Sequence, residues 1–359
     1  MPSADVVVGG AGIAGLATAL ALAERQKRVL VLDEHRRGAA SRAAAGMLAP
    51  SVEGLPDHVL PSAIAARDFY PEFLARLVTR TGVPIPLDRR GILQLASTLA
   101  DLAVLAGAAS KSAQVLDAAA LEQLEPHLVG HAGALRHPNE GAVDNVALMQ
   151  ALELAVAREP RIERVVAAVA SVAFARHGAT VITTTSERVA CGHVVLAPGA
   201  WIANINGLPR TVPVRPVRGQ LLLLAGGIIG HVTYGGGGYL VPRGTGLVIG
   251  ATSDEVGYEC QPTDAGRSAL LAIAHTACPS LRDATVLDHW AGLRPMSPDS
   301  LPILGADPDV PALVYSCGFS RNGILLAPWA AGHLAALISH GFAPDVLEPF
   351  TIKRFDLKQ

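Results

Sequence analysis

The apolar positions near the start of the chain change their period within a few residues. Asp5-Val6-Val7-Val8 is a short β-rich run, residues 9–15 are a glycine-broken turn, residues 16–26 are apolar on nearly every side, and residues 28–34 are a second apolar run. The pattern predicts strand, turn, buried helix and buried strand. Farther along, "VVAAVASVAFARHGATVITTTSERVACGHVVLAPG" (165–199) reads as successive strands. "RRGILQLAST" (89–98) is strand-like, and "LDAAALEQLEPHL" (116–128) reads as a helix leading into a loop. "RPVRGQLLLLAGG" (215–227), "GGGGYLVPRGTGLVIGAT" (235–252) and the region before His289 suggest antiparallel strands with polar turns. The glycines at 235–238 read as a mobile hairpin loop, and Gly323 opens an apolar helix running to about Ile338.

Composition narrows the class. At 359 residues the chain exceeds the usual single-core limit of roughly 250–300 residues, which predicts two domains or one with a large insertion. Half of it is hydrophobic and only 17% is charged, a globular composition with no disordered signature. The net charge of −2, with lysines and arginines scattered, argues against a nucleic-acid partner. Cys191, Cys260, Cys278 and Cys317 stand apart without C-x-x-C spacing, as expected of unpaired thiols in a reducing, cytoplasmic setting. Val6 to Ala23 is an uncharged run of 18 residues, but four glycines break its first half and its basic flank follows it, so neither a membrane helix nor a signal peptide is expected. His127 and His131 have i, i+4 spacing, with His137 beyond, in a proline- and glycine-containing stretch without H-E-x-x-H; no metal site is expected.

Gly10-Ala11-Gly12-Ile13-Ala14-Gly15 matches G-x-G-x-x-G, and Asp33 closes the second strand 18 residues after the last glycine. Gly10 permits a tight turn, Gly12 lets the backbone approach a pyrophosphate, and Gly15 lets helix and strand pack closely. The helix N-terminus then offers unpaired N–H groups to phosphates, and Asp33 offers an acceptor to a ribose hydroxyl. This motif does not separate NAD from FAD.

The small-residue stretch "HRRGAASRAAAGMLAP" (35–50) suits a backbone passing close to a large planar ligand. Here, and in "HVVLAPGAWIANI" (193–205), "HWAGLRPMSPDSLPILG" (289–305) and "CGFSRNGILLAPWAAGHLAALI" (317–338), the chain resembles the flavin-dependent amine and amino-acid oxidases of the D-amino-acid oxidase type, and within them the glycine oxidases of thiamine biosynthesis. The resemblance implies an α/β fold: a Rossmann-like FAD-binding domain, and a discontinuous second domain built on a mostly antiparallel β-sheet. The first would take residues 1–80, 140–210 and 288–359, and the second 81–139 and 211–287. It further implies non-covalent FAD, since Met296 stands where some relatives carry a flavin-bonded cysteine.

By the same resemblance, cofactor contacts would come from Gly10, Gly12, Ile13, Ala14, Gly15, Asp33 and Glu34 in the first unit. Ala40, Ser41, Arg42, Ala45, Gly46 and Met47 follow, then Val169, and finally Ser320, Arg321, Asn322, Gly323 and Ile324. The positive end of the helix opened by Gly323 would face the negative charge of a reduced flavin.

Arg294 lies among small, apolar and proline residues, with no acid nearer in sequence than Asp288 or Asp299. A buried guanidinium without a protein carboxylate suggests that a ligand supplies the anion. The resemblance assigns Arg294 to the substrate's α-carboxylate, with Tyr239 on the same group and Arg321 adding positive potential or anchoring its loop. An amine bound as the free base can deliver its α-hydrogen as hydride to the flavin, so orientation carries the catalysis and no general base is nominated. The implied substrates are a small amino acid or N-methyl amino acid, with dioxygen or another electron acceptor; a homo-oligomer stays open. The 235–238 loop is all glycine where glycine oxidases carry bulkier polar residues, and Ser253 replaces a larger apolar one; these departures would open the pocket and put glycine itself in doubt as the preferred substrate. Alternatives are a D-amino-acid dehydrogenase with another acceptor, an NAD-dependent dehydrogenase, and a non-catalytic flavin-fold binding protein.

Overall fold

A computed structural model describes residues 4–110, 112–176, 178–341 and 344–356. The outermost residues of the expected cofactor segments, 1–3 and 357–359, lie outside the described residues. The chain opens with β1 (Ala4–Gly9), α1 (Ile13–Glu24), β2 (Val29–Leu32), α2 (Ala40–Ala43) and β3 (Met47–Leu48). It continues through α3 (Leu60–Thr81), β4 (Leu87–Asp88), β5 (Ile92–Ala96), α4 (Leu99–Gly107), β6 (Gln114–Asp117) and α5 (Ala118–Leu124). Then come β7 (Gly133–His137), β8 (Gly141–Val143), α6 (Asn145–Ala157), β9 (Ile162–Val165), β10 (Val169–Phe174), β11 (Ala179–Thr183) and β12 (Arg188–Leu196). The last third holds β13 (Arg215–Ala225), β14 (Val232–Gly235), β15 (Gly238–Arg243), β16 (Gly246–Gly250) and α7 (Asp264–Ala277). It closes with β17 (Val286–Met296), β18 (Ile303–Ala306), β19 (Leu313–Cys317) and α8 (Gly323–His340).

The strands form two large sheets and one small one. The first has a parallel core in the order β9-β2-β1-β12-β19, with β18 antiparallel at one end and the β10-β11 hairpin paired to the start of β12. Parallel strands buried on both faces read as continuous apolar runs, which is why Val6-Val7-Val8 and Val29 to Leu32 are fully buried. α1 is buried on all sides because it is sandwiched among this sheet, α6 and α8. α8 is, among the described residues, the helix long and apolar enough to cross a membrane by length and composition, and 67% of it is buried inside the fold.

The second sheet runs β17-β13-β16-β15-β14-β5-β7-β6 and is antiparallel at every pairing except β14 with β5. A small third sheet, β3-β8-β4, joins segments near the junction. One expectation needs correction. Leu116 and Asp117 belong to β6, and the helix begins at Ala118 because the Asp117 carboxylate accepts from the Ala120 N–H and caps it. Residue 288, where the last cofactor segment was expected to begin, lies within β17, whose ladder with β13 continues through Arg294 to Met296 and sets the arginine on the second sheet.

Candidate active site

A cavity of about 380 Å³ runs from the C-terminal ends of β1, β2 and β12 to the face of the second sheet. Such a crevice, outside the carboxyl ends of parallel strands, is where α/β sheets bind ligands. At this end the wall is backbone. Gly10 has φ +112°, and a Cβ there would stand 2.2 Å from the Ala197 carbonyl oxygen; at Gly15 it would stand 1.8 Å from the Gly10 carbonyl oxygen. Both positions therefore exclude a side chain, and Gly12 forms the N-cap of α1 without one. The Ile13 N–H donates to Ser41 Oγ at 3.0 Å, and the Ala11 N–H to Asp33 Oδ1 at 3.1 Å. Ser41 and Asp33 thus bracket the N-terminus of α1, the helix end that favours an anion. The absent side chains of the turn and the carboxylate at the end of β2 fit a dinucleotide.

Gly10, Gly12, Ile13, Ala14, Asp33, Glu34, Ala40, Ser41, Arg42, Ala45, Gly46, Met47 and Val169 all line this one cavity. So do Ser320, Arg321, Asn322, Gly323 and Ile324, together with Tyr239 and Arg294. Gly15 does not; its part is the close packing of helix on turn. Arg42 faces the cavity while paired with Glu153 at 2.7 Å, and Glu34 is paired with Arg36. Asn322 precedes α8 without donating or accepting a side-chain cap, so it does not act as a capping side chain. The turn before α8 is stitched to the strand of Arg294: Ser320 N–H donates to the Pro295 carbonyl at 3.0 Å and Ser297 N–H to Ser320 Oγ at 3.2 Å. The Tyr70 hydroxyl, fully buried on α3, donates to the Ile324 carbonyl in the first turn of α8.

At the other end the wall is side chain. Arg294 Nη1 donates to the Thr252 carbonyl at 2.9 Å, and its guanidinium lies against Gly219, where a Cβ would come within 2.3 Å of it. No carboxylate lies within 4.0 Å of it among the described residues. Thr252 is itself fixed: its hydroxyl accepts from the Gln220 N–H and donates to Asp254. Burial raises the Asp254 carboxyl, but hydrogen bonds from Gln220, Arg218 and Thr252 outweigh it and hold the group below its usual range. Tyr239 is buried, its ring filling the space left by Gly250, and burial raises its hydroxyl above the ordinary tyrosine value despite the opposing field of Arg294.

Several residues of this end escaped the sequence reading. Glu53, whose side chain is 5% exposed, pairs with Arg321 Nε at 3.2 Å and accepts from the Tyr234 hydroxyl. Arg321 is therefore the partner of a carboxylate and not a lone cation. The signal was a single acid in the apolar stretch 46–56. Gly219 and Gly250 carry no motif; only the register that sets Tyr239 opposite Gly250, and Gly219 two residues along from Arg294's partner Val217, reveals why they are bare. Arg243 on β15 donates to the Ala45 carbonyl and to Asn145 Oδ1, both at 3.0 Å, and Asn145 donates to the Ser41 carbonyl at 2.9 Å. This fastens the second sheet to the small-residue turn.

Comparison with known proteins gives a consistent picture. The model of the FAD dependent oxidoreductase family matches residues 5–337. The chain is 35% identical over 98% of its length to a bifunctional protein ThiO/ThiG of Synechocystis, and spans about half the length (54%) of that relative. It is 32% identical to a glycine oxidase of Pseudomonas putida, over 91% of this chain and 92% of that one. The crystal structure of glycine oxidase from Geobacillus kaustophilus superposes with a TM-score of 0.92 at 30% identity, covering 99% of each chain.

Proposed function

Because the chain belongs to the family of FAD-dependent oxidoreductases, and FAD is therefore its cofactor, we propose that it oxidises a small amino acid or N-methyl amino acid to the imine. The observation that carries this reading is Arg294: a guanidinium in the cavity wall, oriented by a backbone carbonyl and left without a protein anion.

Bound in the crevice, the flavin supplies a two-electron acceptor for the substrate's α-hydrogen and its electron pair. The protein's residues bind and orient. Arg294 takes the carboxylate in a bidentate pair, and the Tyr239 hydroxyl, kept protonated by burial, donates to the same group. The Thr252–Asp254–Gln220 network holds the guanidinium still, so little ordering is left to be done when substrate arrives. Ser41 and the first turn of α1 receive the pyrophosphate, Asp33 a ribose hydroxyl, and the N-terminal turn of α8 the ring system. The names of the relatives, glycine oxidases, favour an amino acid over other carboxylates. Dioxygen is the acceptor favoured by those names.

The test is optical. Purified protein should be yellow, and one carboxylate-bearing amine from a panel should bleach the flavin band without air, with air restoring it. A colourless protein ends the flavin reading, and a yellow one that no amino acid bleaches ends the catalytic one.

A further inference from the structure

A second cavity of about 350 Å³ adjoins the substrate end and shares Tyr239 and Arg321 with the first. Its walls are Leu95, Leu105, Ala251, the Tyr234 side chain and Gln94, together with the bare backbone of residues 235–238. That bareness has local causes. Gly236 and Gly237 form the two-residue turn between β14 and β15 with φ of +62° and +87°, a left-handed pair that glycine adopts without strain. A Cβ at Gly238 would stand 2.3 Å from the Gly250 carbonyl oxygen, and one at Gly235 2.7 Å from Leu95. The hairpin therefore contributes surface but no side chain, and leaves a groove beside the carboxylate-binding groups.

Charge limits what can fill it. The charged groups acting on the Tyr239 hydroxyl are Arg294, Arg321 and Glu53, two cations and one anion. Glu53 already balances Arg321, so one positive charge remains, and the α-carboxylate of the substrate uses it. A second anion beside Leu95, Leu105 and Ala251 would meet no free counter-charge, because Arg321, the cation among the residues lining this cavity, is already paired with Glu53. An uncharged substituent has no such penalty and gains from removing apolar surface from water.

Building on the amino-acid oxidation proposed above, we infer that the preferred substrate is a monocarboxylic amino acid bearing an uncharged apolar substituent larger than a methyl group, seated in the cavity between the glycine hairpin and Leu105. Glycine would leave that cavity empty and forgo its binding energy.

The experiment uses the FAD-loaded protein and measures kcat/KM with glycine, sarcosine, N-butylglycine, both enantiomers of alanine and leucine, and aspartate. The expected result is at least a tenfold preference for leucine of one hand or for N-butylglycine over glycine. Leu105→Trp, which fills the groove, should cut that preference at least tenfold, with flavin content and melting temperature as controls. Leu105→Phe serves if the tryptophan variant does not fold. Glycine or aspartate as the best substrate would overturn the inference while leaving amino-acid oxidation standing. An equal loss for every substrate in the filled variant would mark an entrance in place of a substituent site and overturn it too. Failure of every compound to reduce the flavin would instead remove the underlying reading.

Discussion

The two ends of the main cavity are built on different principles. The dinucleotide end is made mostly of main chain: one glycine turn and one helix terminus near the start of the chain, closed by the Asp33 and Ser41 side chains and the Ala197 carbonyl, and shaped by which side chains the turn lacks. The substrate end is made of side chains brought from β15, β17, the segment after β3 and the turn before α8, with Arg294 and Arg321 each held by a residue distant in sequence. The first end tolerates almost no substitution because its walls cannot move. The second can change one group at a time, which is how a shared cofactor frame comes to serve different substrates.

That contrast can be broken most severely at Gly15. Gly15→Ala places a methyl 1.8 Å from the Gly10 carbonyl, and helix and strand must separate. A loss of about 3 kcal/mol or more in stability is expected, with flavin content near zero by visible absorbance. Full flavin content in this variant would show that the turn is not rigid. Next comes Arg294→Ala, expected to lower kcat/KM by about 100- to 1000-fold, or roughly 3–4 kcal/mol, while flavin content stays at the wild-type level. Unchanged kinetics would remove the carboxylate assignment.

Smaller effects sharpen the comparison. Glu53→Gln preserves shape and hydrogen bonds but leaves Arg321 unbalanced, so a second cation competes for the substrate's carboxylate. KM and kcat should then fall together, each by about five- to tenfold, a sign of tighter but misaligned binding. A rise in KM alone would give Glu53 a different part. The smallest effect lies outside the site, at Glu140, which is 1% exposed and accepts from the Ser51 N–H at 3.0 Å. Burial pushes its carboxyl up to about 7 from 4.5, so its folded form holds a proton that the unfolded chain has released. Its stability contribution is present below pH 4.5 and is lost as pH rises through about 7. Wild-type melting temperature should drop across that window more steeply than that of Glu140→Gln, measured on the FAD-loaded protein.

Legibility in the sequence followed the same division. The βαβ start was readable because a glycine with a required conformation and an apolar run of fixed period are local properties of the chain. The helix from Gly323 was readable for the same reason, ending at His340, two residues past its expected end. Arg294 was conspicuous by isolation, and the structure indeed leaves it without a carboxylate partner among the described residues. Glu53, Gly219 and Gly250 were not legible, because their importance arises from register between strands far apart in sequence. The sheet that β17 joins was not legible on similar grounds: nothing local says which of two sheets a strand will join.

The placement of α1 against α8 also bears on how the protein is made. α1 rests on α8, and the parallel sheet receives β19 long after β1, β2 and β12 have been made. At ordinary ribosomal speed the interval between the emergence of the two helices is on the order of tens of seconds. Throughout that interval Leu16, Leu20 and their neighbours lack the apolar cover that α8 gives them. Until α8 emerges the apolar faces of α1 are open to non-native contact, so the first helix is hidden only when the slowest-arriving of its neighbours has been made.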